Sequence, residues 1–210
     1  MMRITLVFLF LVSLPSFAAT SNGSWLGTFT KKKINSQSFY WAETQLRYDL
    51  SSGEMGQLLY RFGYLRLLNT LPGEGGALYG YIQTGSTKEH RLTAQYASKL
   101  PQLGENHFST RIRLEHRILE DNQKQSQRFR VLVRGDRSLD KDNKIVIWDE
   151  VFININDNTW AGKTLDRNRL FIGARRTFKN YNIEFGYLNQ YVTNRDDKQT
   201  QHILVGYFNF

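Results

Sequence analysis

An antiparallel transmembrane β-barrel of about twelve strands, preceded by a cleaved leader, is the fold class that three features of this sequence predict. Segments of about ten residues alternate apolar and polar from Ser38 onward. Their polar faces carry rows of arginine mixed with glutamate, and the chain ends on a strand-like run, Leu204-Val205-Gly206-Tyr207-Phe208-Asn209-Phe210. No helical 3.6-residue period competes over a comparable length.

The first element is the leader. Basic Arg3, the apolar run Ile4 to Leu14 and the small-residue stretch Pro15-Ser16-Phe17-Ala18-Ala19 form the three regions of a secretory signal peptide, with cleavage expected after Ala18. The expected organisation is therefore a leader over 1–18 and a single β-barrel domain over 19–210. The full chain of 210 residues carries a net charge of +9, and removal of the leader takes away Arg3 and no acid, leaving +8. Export sets aside nucleic acid, the usual partner of a basic chain. The charged content of 22%, with no later stretch of ~20 apolar residues, excludes a helical membrane protein. Absence of cysteine excludes a disulfide framework, a thiol nucleophile and thiolate metal sites. The four histidines lack paired spacing, so neither a metal nor a cofactor is expected.

Eleven strand candidates follow, beginning near Trp25, Tyr40, Leu58, Ala77, Glu89, Phe108, Arg128, Ile145, Arg169, Tyr181 and His202. The alternation is clearest in five of them. Tyr40, Ala42, Thr44, Leu46 and Tyr48 oppose Trp41, Glu43, Gln45 and Arg47. Phe108, Thr110, Ile112 and Leu114 oppose Ser109, Arg111, Arg113, Glu115 and Arg117. Phe129, Val131 and Val133 oppose Arg128, Arg130 and Arg134, with Leu132 the one apolar residue on the polar side. Leu170, Ile172 and Ala174 oppose Arg169, Phe171, Gly173 and Arg175. Tyr181, Ile183, Phe185 and Tyr187 oppose Asn182, Glu184, Gly186, Leu188 and Gln190.

A soluble lipocalin-like barrel would turn the apolar faces inward, and an outer-membrane barrel would turn them to lipid. The second assignment is favoured. Aromatic residues sit at the ends of the apolar faces, as membrane girdles do, and closely spaced arginines suit cross-strand pairing inside a closed lumen. The terminal Phe208 and Phe210 fit an assembly signal read by barrel-assembly machinery. Outer-membrane lipid is the expected surrounding, in a Gram-negative bacterium.

The blocks Glu43-Thr44-Gln45-Leu46-Arg47, Arg111 to Arg117, Asp149-Glu150-Val151-Phe152, Asp166 to Gly173 and Glu184 to Asn189, taken in order after Trp25, resemble the domain of unknown function 2490 family. The resemblance covers essentially the whole mature chain. It implies a bacterial outer-membrane β-barrel and supplies no catalytic residues.

Bacterial single-chain barrels have even strand numbers and both termini periplasmic. The short connection Phe178-Lys179-Asn180 is then expected on the periplasmic side and the long one, Asn156 to Asp166, outside. On those assignments the strand at Trp25 enters from the wrong side, so ten strands or twelve are expected, with twelve favoured.

The expected lumen-lining set is Glu43, Arg47, Arg61, Arg91, Arg111, Arg113, Glu115, Arg117, Arg128, Arg130, Arg134, Glu150, Arg169, Arg175 and Glu184, joined by Glu89. Eleven arginines against five glutamates leave +6 inside. Such a lumen is either stapled shut by its ion pairs or forms a narrow anion-preferring pore for small anionic solutes. No catalysis is expected. A lipid-modifying hydrolase would need a lipid-facing His-x-Ser set, and His107-Phe108-Ser109 lies on the face that continues into Arg111. His202 beside Asp196 or Asp197, and the Gly162-Lys163-Thr164 tripeptide next to Trp160, are weak matches to water-activating and phosphate-binding motifs.

Overall fold

In the computed structural model, residues 19–50, 52–156, 164–193 and 198–210 are described. The leader over 1–18, Trp160 with Gly162 and Lys163, and Asp196 and Asp197 lie outside them. Eleven strands are present among the described residues: β1 (Ala19–Lys33), β2 (Ser38–Asp49), β3 (Glu54–Leu67), β4 (Glu74–Thr84), β5 (Thr87–Leu103), β6 (Asn106–Leu119), β7 (Gln125–Ser138), β8 (Asn143–Asn154), β9 (Leu165–Thr177), β10 (Asn182–Thr193) and β11 (Lys198–Asn209). Each of the eleven candidate segments is a strand, and no helix occurs among the described residues.

The strands close into one barrel in chain order. Two expectations fail at the closure. There are eleven strands rather than twelve, and the sheet is mixed rather than wholly antiparallel, because β1 pairs with β11 in parallel from Ala19↔Gln199 to Phe29↔Asn209. The physical reason is a matter of parity. With ten successive reversals the eleventh strand runs in the direction of the first, and a parallel ladder then satisfies both free edges without another strand. The strand at Trp25 therefore belongs to the barrel and does enter from the opposite side. Ala19 and Phe210 consequently lie at opposite rims, against the expectation of both chain ends at one. The Phe178–Asn180 turn shares the Phe210 rim, and Asn156 and Asp166, the two described ends of the long connection, lie at the Ala19 rim.

Faces follow the period of two. Outward on seven of the strands lie Leu26, Phe62, Leu92, Leu114, Ile172, Phe185 and Leu204, with Phe62 60% and Phe185 61% exposed. Inward lie the charges, Arg113 at 2% and Glu115 at 0% exposure. Apolar side chains also reach inside: Trp25, Val146, Trp148, Phe171, Leu188, Ile203, Val205 and Tyr207 form one buried cluster, against which Phe29 and Leu132 pack. Room for it comes from an inward glycine pair. Gly173 and Gly186 face each other across β9 and β10, and a Cβ on either would stand 2.5 or 2.7 Å from the Phe171 ring, which lies over them and stacks on Trp148 at 5.1 Å.

Candidate functional site

The inward face encloses a cavity of about 380 Å³ whose lining runs from Arg175 and Asn209 near the Phe210 rim to Gln57 and Thr84 near the other. A second cavity of about 280 Å³ adjoins it at the Ala19 rim, and the two share Arg47, Gln57 and Arg167. Of the lumen-lining residues named from the sequence, all line the larger cavity except Glu115, which lies fully buried in the wall beneath it.

Cross-strand register builds the charge network. Glu115 on β6 stands opposite Arg128 on β7 and accepts from it at 2.6 Å and from Arg130 at 2.5 Å, with Arg61 of β3 at 3.9 Å. Glu43 on β2 stands opposite Arg61 and accepts from it at 2.8 Å. Glu150 on β8 links Arg130 at 2.8 Å, Arg111 at 3.1 Å and Arg169 at 3.9 Å. These contacts join four strands' worth of arginines into one chain of bridges. Two smaller groups flank it: Glu89 accepts from Arg91 at 2.6 Å and Arg117 at 2.7 Å, and Glu184 from Arg134 at 2.6 Å and Arg175 at 2.9 Å. Glu89, Glu115, Glu150 and Glu184 each serve two or more guanidinium ions, so the carboxylates are well used while the wall remains positive.

Two members escaped the sequence reading. Arg167 lines the cavity, and Asp166 holds both it and Arg128 at 2.9 Å. Arg167 was legible, since it continues the face of Arg169 by one further step of two. Asp166 was not. A bulge between Phe152 and Ile153 pairs Phe152 with Arg167 and Ile153 with Leu165, leaving Asp166 out of register and free to turn in. With these two included, twelve arginines meet six carboxylates, and the excess of six cations stays as first counted.

The remaining candidates lie elsewhere. Phe208 is half-buried and Phe210 exposed, both on the outer face with Leu204. Phe210 extends the seam by donating its amide to the Phe29 carbonyl at 2.8 Å, and its ring meets Tyr181, which stacks on Phe178 at 4.7 Å. His107 is exposed near the Phe210 rim opposite Asp136, while Ser109 stands opposite Arg134 on the inner side. On the outer face His90 hydrogen-bonds Tyr79 at 2.6 Å and His202 hydrogen-bonds Tyr187 at 2.5 Å, so these histidines are held by tyrosine hydroxyls rather than by a serine. Lys31 pairs with Glu74 near the Phe210 rim.

Fold and site together define a closed eleven-stranded β-barrel with a cationic interior. The sequence matches the family described as protein of unknown function DUF2490 over residues 22–201, and the chain belongs to that family. No curated protein matches it.

Proposed function

We propose that this barrel sits in the outer membrane of a Gram-negative bacterium and offers small anions a narrow, anion-preferring path through its interior. The observation that carries the reading is the excess of six arginines over carboxylates around a cavity that extends between the two rims. Cations are repelled from such a lining and anions are drawn to it. The outer face supports the surrounding: its large apolar side chains, Phe62 and Phe185 among them, would be a liability in water and are at home in acyl chains. The Phe178, Tyr181 and Phe210 rings at one rim suit an interfacial girdle, and that rim is assigned to the periplasm. The Ala19 rim is then on the cell exterior.

Two measurements test the proposal. A protein that meets lipid requires detergent and migrates faster unheated than boiled on a denaturing gel; solubility without detergent would reverse the assignment of the outer face. In planar bilayers under a salt gradient, small unitary currents with an anion-side reversal potential are expected. No current, or cation preference, would overturn the path.

A further inference from the structure

Nine of the twelve interior arginines touch a carboxylate by a hydrogen bond, and three are held differently. Arg47 gives its guanidinium protons to Gln45 and Gln57 and lies 4.0 Å from the Trp25 ring centroid. Arg169 gives its Nε–H to Gln190 at 2.6 Å, rests on Trp25 at 4.7 Å and Phe152 at 4.6 Å, and has Glu150 no nearer than 3.9 Å. Arg113 gives its Nε–H to Gln95 at 2.7 Å and faces Trp41 at 5.6 Å. A glutamine oxygen and an aromatic face orient a guanidinium without cancelling its charge, whereas a carboxylate does both.

Arg113 is the sharpest case. It is 2% exposed, it lines the cavity, and its two terminal nitrogens have no hydrogen-bond partner among the described residues. Its charged neighbours are Arg111, Arg61 and Arg130, with Glu43 the one acid among the strongest influences. Burying a guanidinium fork with donors unused is costly in a folded protein unless a ligand takes them up. Arg113 has Arg130 as its cross-strand neighbour, and Arg169 lines the same cavity with Glu150 at 3.9 Å, so Arg113 is the guanidinium whose terminal donors stand free of any acid.

We propose that Arg113 is a binding site for a small oxyanion of the phosphate, sulfate or carboxylate class, whose oxygens fit a bidentate guanidinium fork. The site rests on the anion-attracting reading of the interior but does not require a through-going path. Gln95 is its positioning residue.

The test uses full-length protein refolded in detergent micelles, titrated calorimetrically with inorganic phosphate at constant ionic strength against a chloride reference. Phosphate is expected to bind with saturation, and Arg113→Gln to weaken it roughly tenfold or more. Because Arg113→Gln can disturb folding, Gln95→Glu is the second variant: it keeps the guanidinium paired, supplies an internal carboxylate, and is expected to abolish phosphate binding in a folded barrel. Arg137→Gln, on an exposed rim pair with Glu105, is expected to bind like the wild type. Phosphate binding that is absent, or that is equal in wild type and Gln95→Glu, overturns the site. Arg113-dependent binding in a barrel that passes no current would overturn the path and keep the site; anion current without Arg113-dependent binding would do the reverse.

Discussion

The parallel seam of β1 and β11 and the wall of β5, β6 and β7 opposite it are built on different physics. The wall contributes Glu89, Arg91, Arg111, Arg113, Glu115, Arg117, Arg128, Arg130 and Arg134 to the interior, while the seam contributes Trp25, Phe29, Ile203, Val205 and Tyr207 and no charge. β6 lies five strands from the seam in either direction, so the two regions are as far apart as the ring allows. Specificity of pairing resides in the wall. Ion pairs demand a register, and on the wall the carboxylate of Glu115 fits only if β6 and β7 are aligned as they are. Apolar packing is non-directional, and the seam is the one ladder of the ring between strands that are not neighbours in sequence. A closing ladder without charges needs no matching of opposite signs across strands far apart in sequence. Its parallel register is fixed by backbone bonds and by the fit of Tyr207 over Gly27.

The largest expected effect lies on the wall. Glu115→Gln leaves Arg128, Arg130 and Arg61 short of their shared counter-charge in a fully buried place, at a cost of about 3–5 kcal/mol. Urea unfolding of the refolded barrel measures it. Glu105→Gln, which removes the exposed partner of Arg137, is expected to cost at most about 1 kcal/mol. Equal losses at the two positions would erase the distinction between wall and rim.

At the seam the expected effect is smaller and steric. A Cβ on Gly27 would stand 2.9 Å from Cδ1 of Tyr207 and 3.2 Å from the Phe29 ring, so Gly27→Ala overpacks the cluster at a cost of about 1–3 kcal/mol. That cost is expected to be the same in low and high salt. A strong salt dependence would mean that charges support the seam after all, and the contrast with the wall would fail.

The same contrast explains what the sequence disclosed. Arginine and glutamate at every second position mark an inner face by themselves, which is why the wall was readable residue by residue from Arg111 to Arg134. Period two carries no information on the direction of a distant partner, so neither the odd count nor the parallel closure could be read from it. β1 adds to the difficulty, since Ser21, Gly23, Ser24 and Gly27 dilute its alternation. The inner apolar cluster left only isolated traces: Leu132, Phe171 and Leu188 stand on otherwise polar faces, and each joins or packs against the seam-side cluster. Apolar exceptions on a charged face were the signal that part of the lumen is filled. Asp166 left no trace, because a bulge changes which face a residue takes without changing the composition around it.

The smallest effect separates inside from outside. Alternation puts Asp149 on the outer face between inward Trp148 and Glu150, midway along β8, with Val133 and Leu170 as cross-strand neighbours. Its carboxylate accepts one hydrogen bond, from Asn168 at 2.9 Å, where Glu115 within the wall meets three arginines. A carboxylate on a lipid-facing surface is unfavourable, though by less than the ~2–4 kcal/mol of a basic residue at the bilayer midplane. If the outer face meets lipid, Asp149→Leu gives up the bond to Asn168 and gains apolar contact with lipid, so the barrel refolded into phospholipid vesicles is expected to be more stable by about 1 kcal/mol. If the outer face met water instead, the leucine would replace a solvated carboxylate by an exposed apolar side chain and stability would be unchanged or lower. The sign of this one measurement therefore decides which solvent the apolar face was made for, independently of whether anything passes through the arginines within.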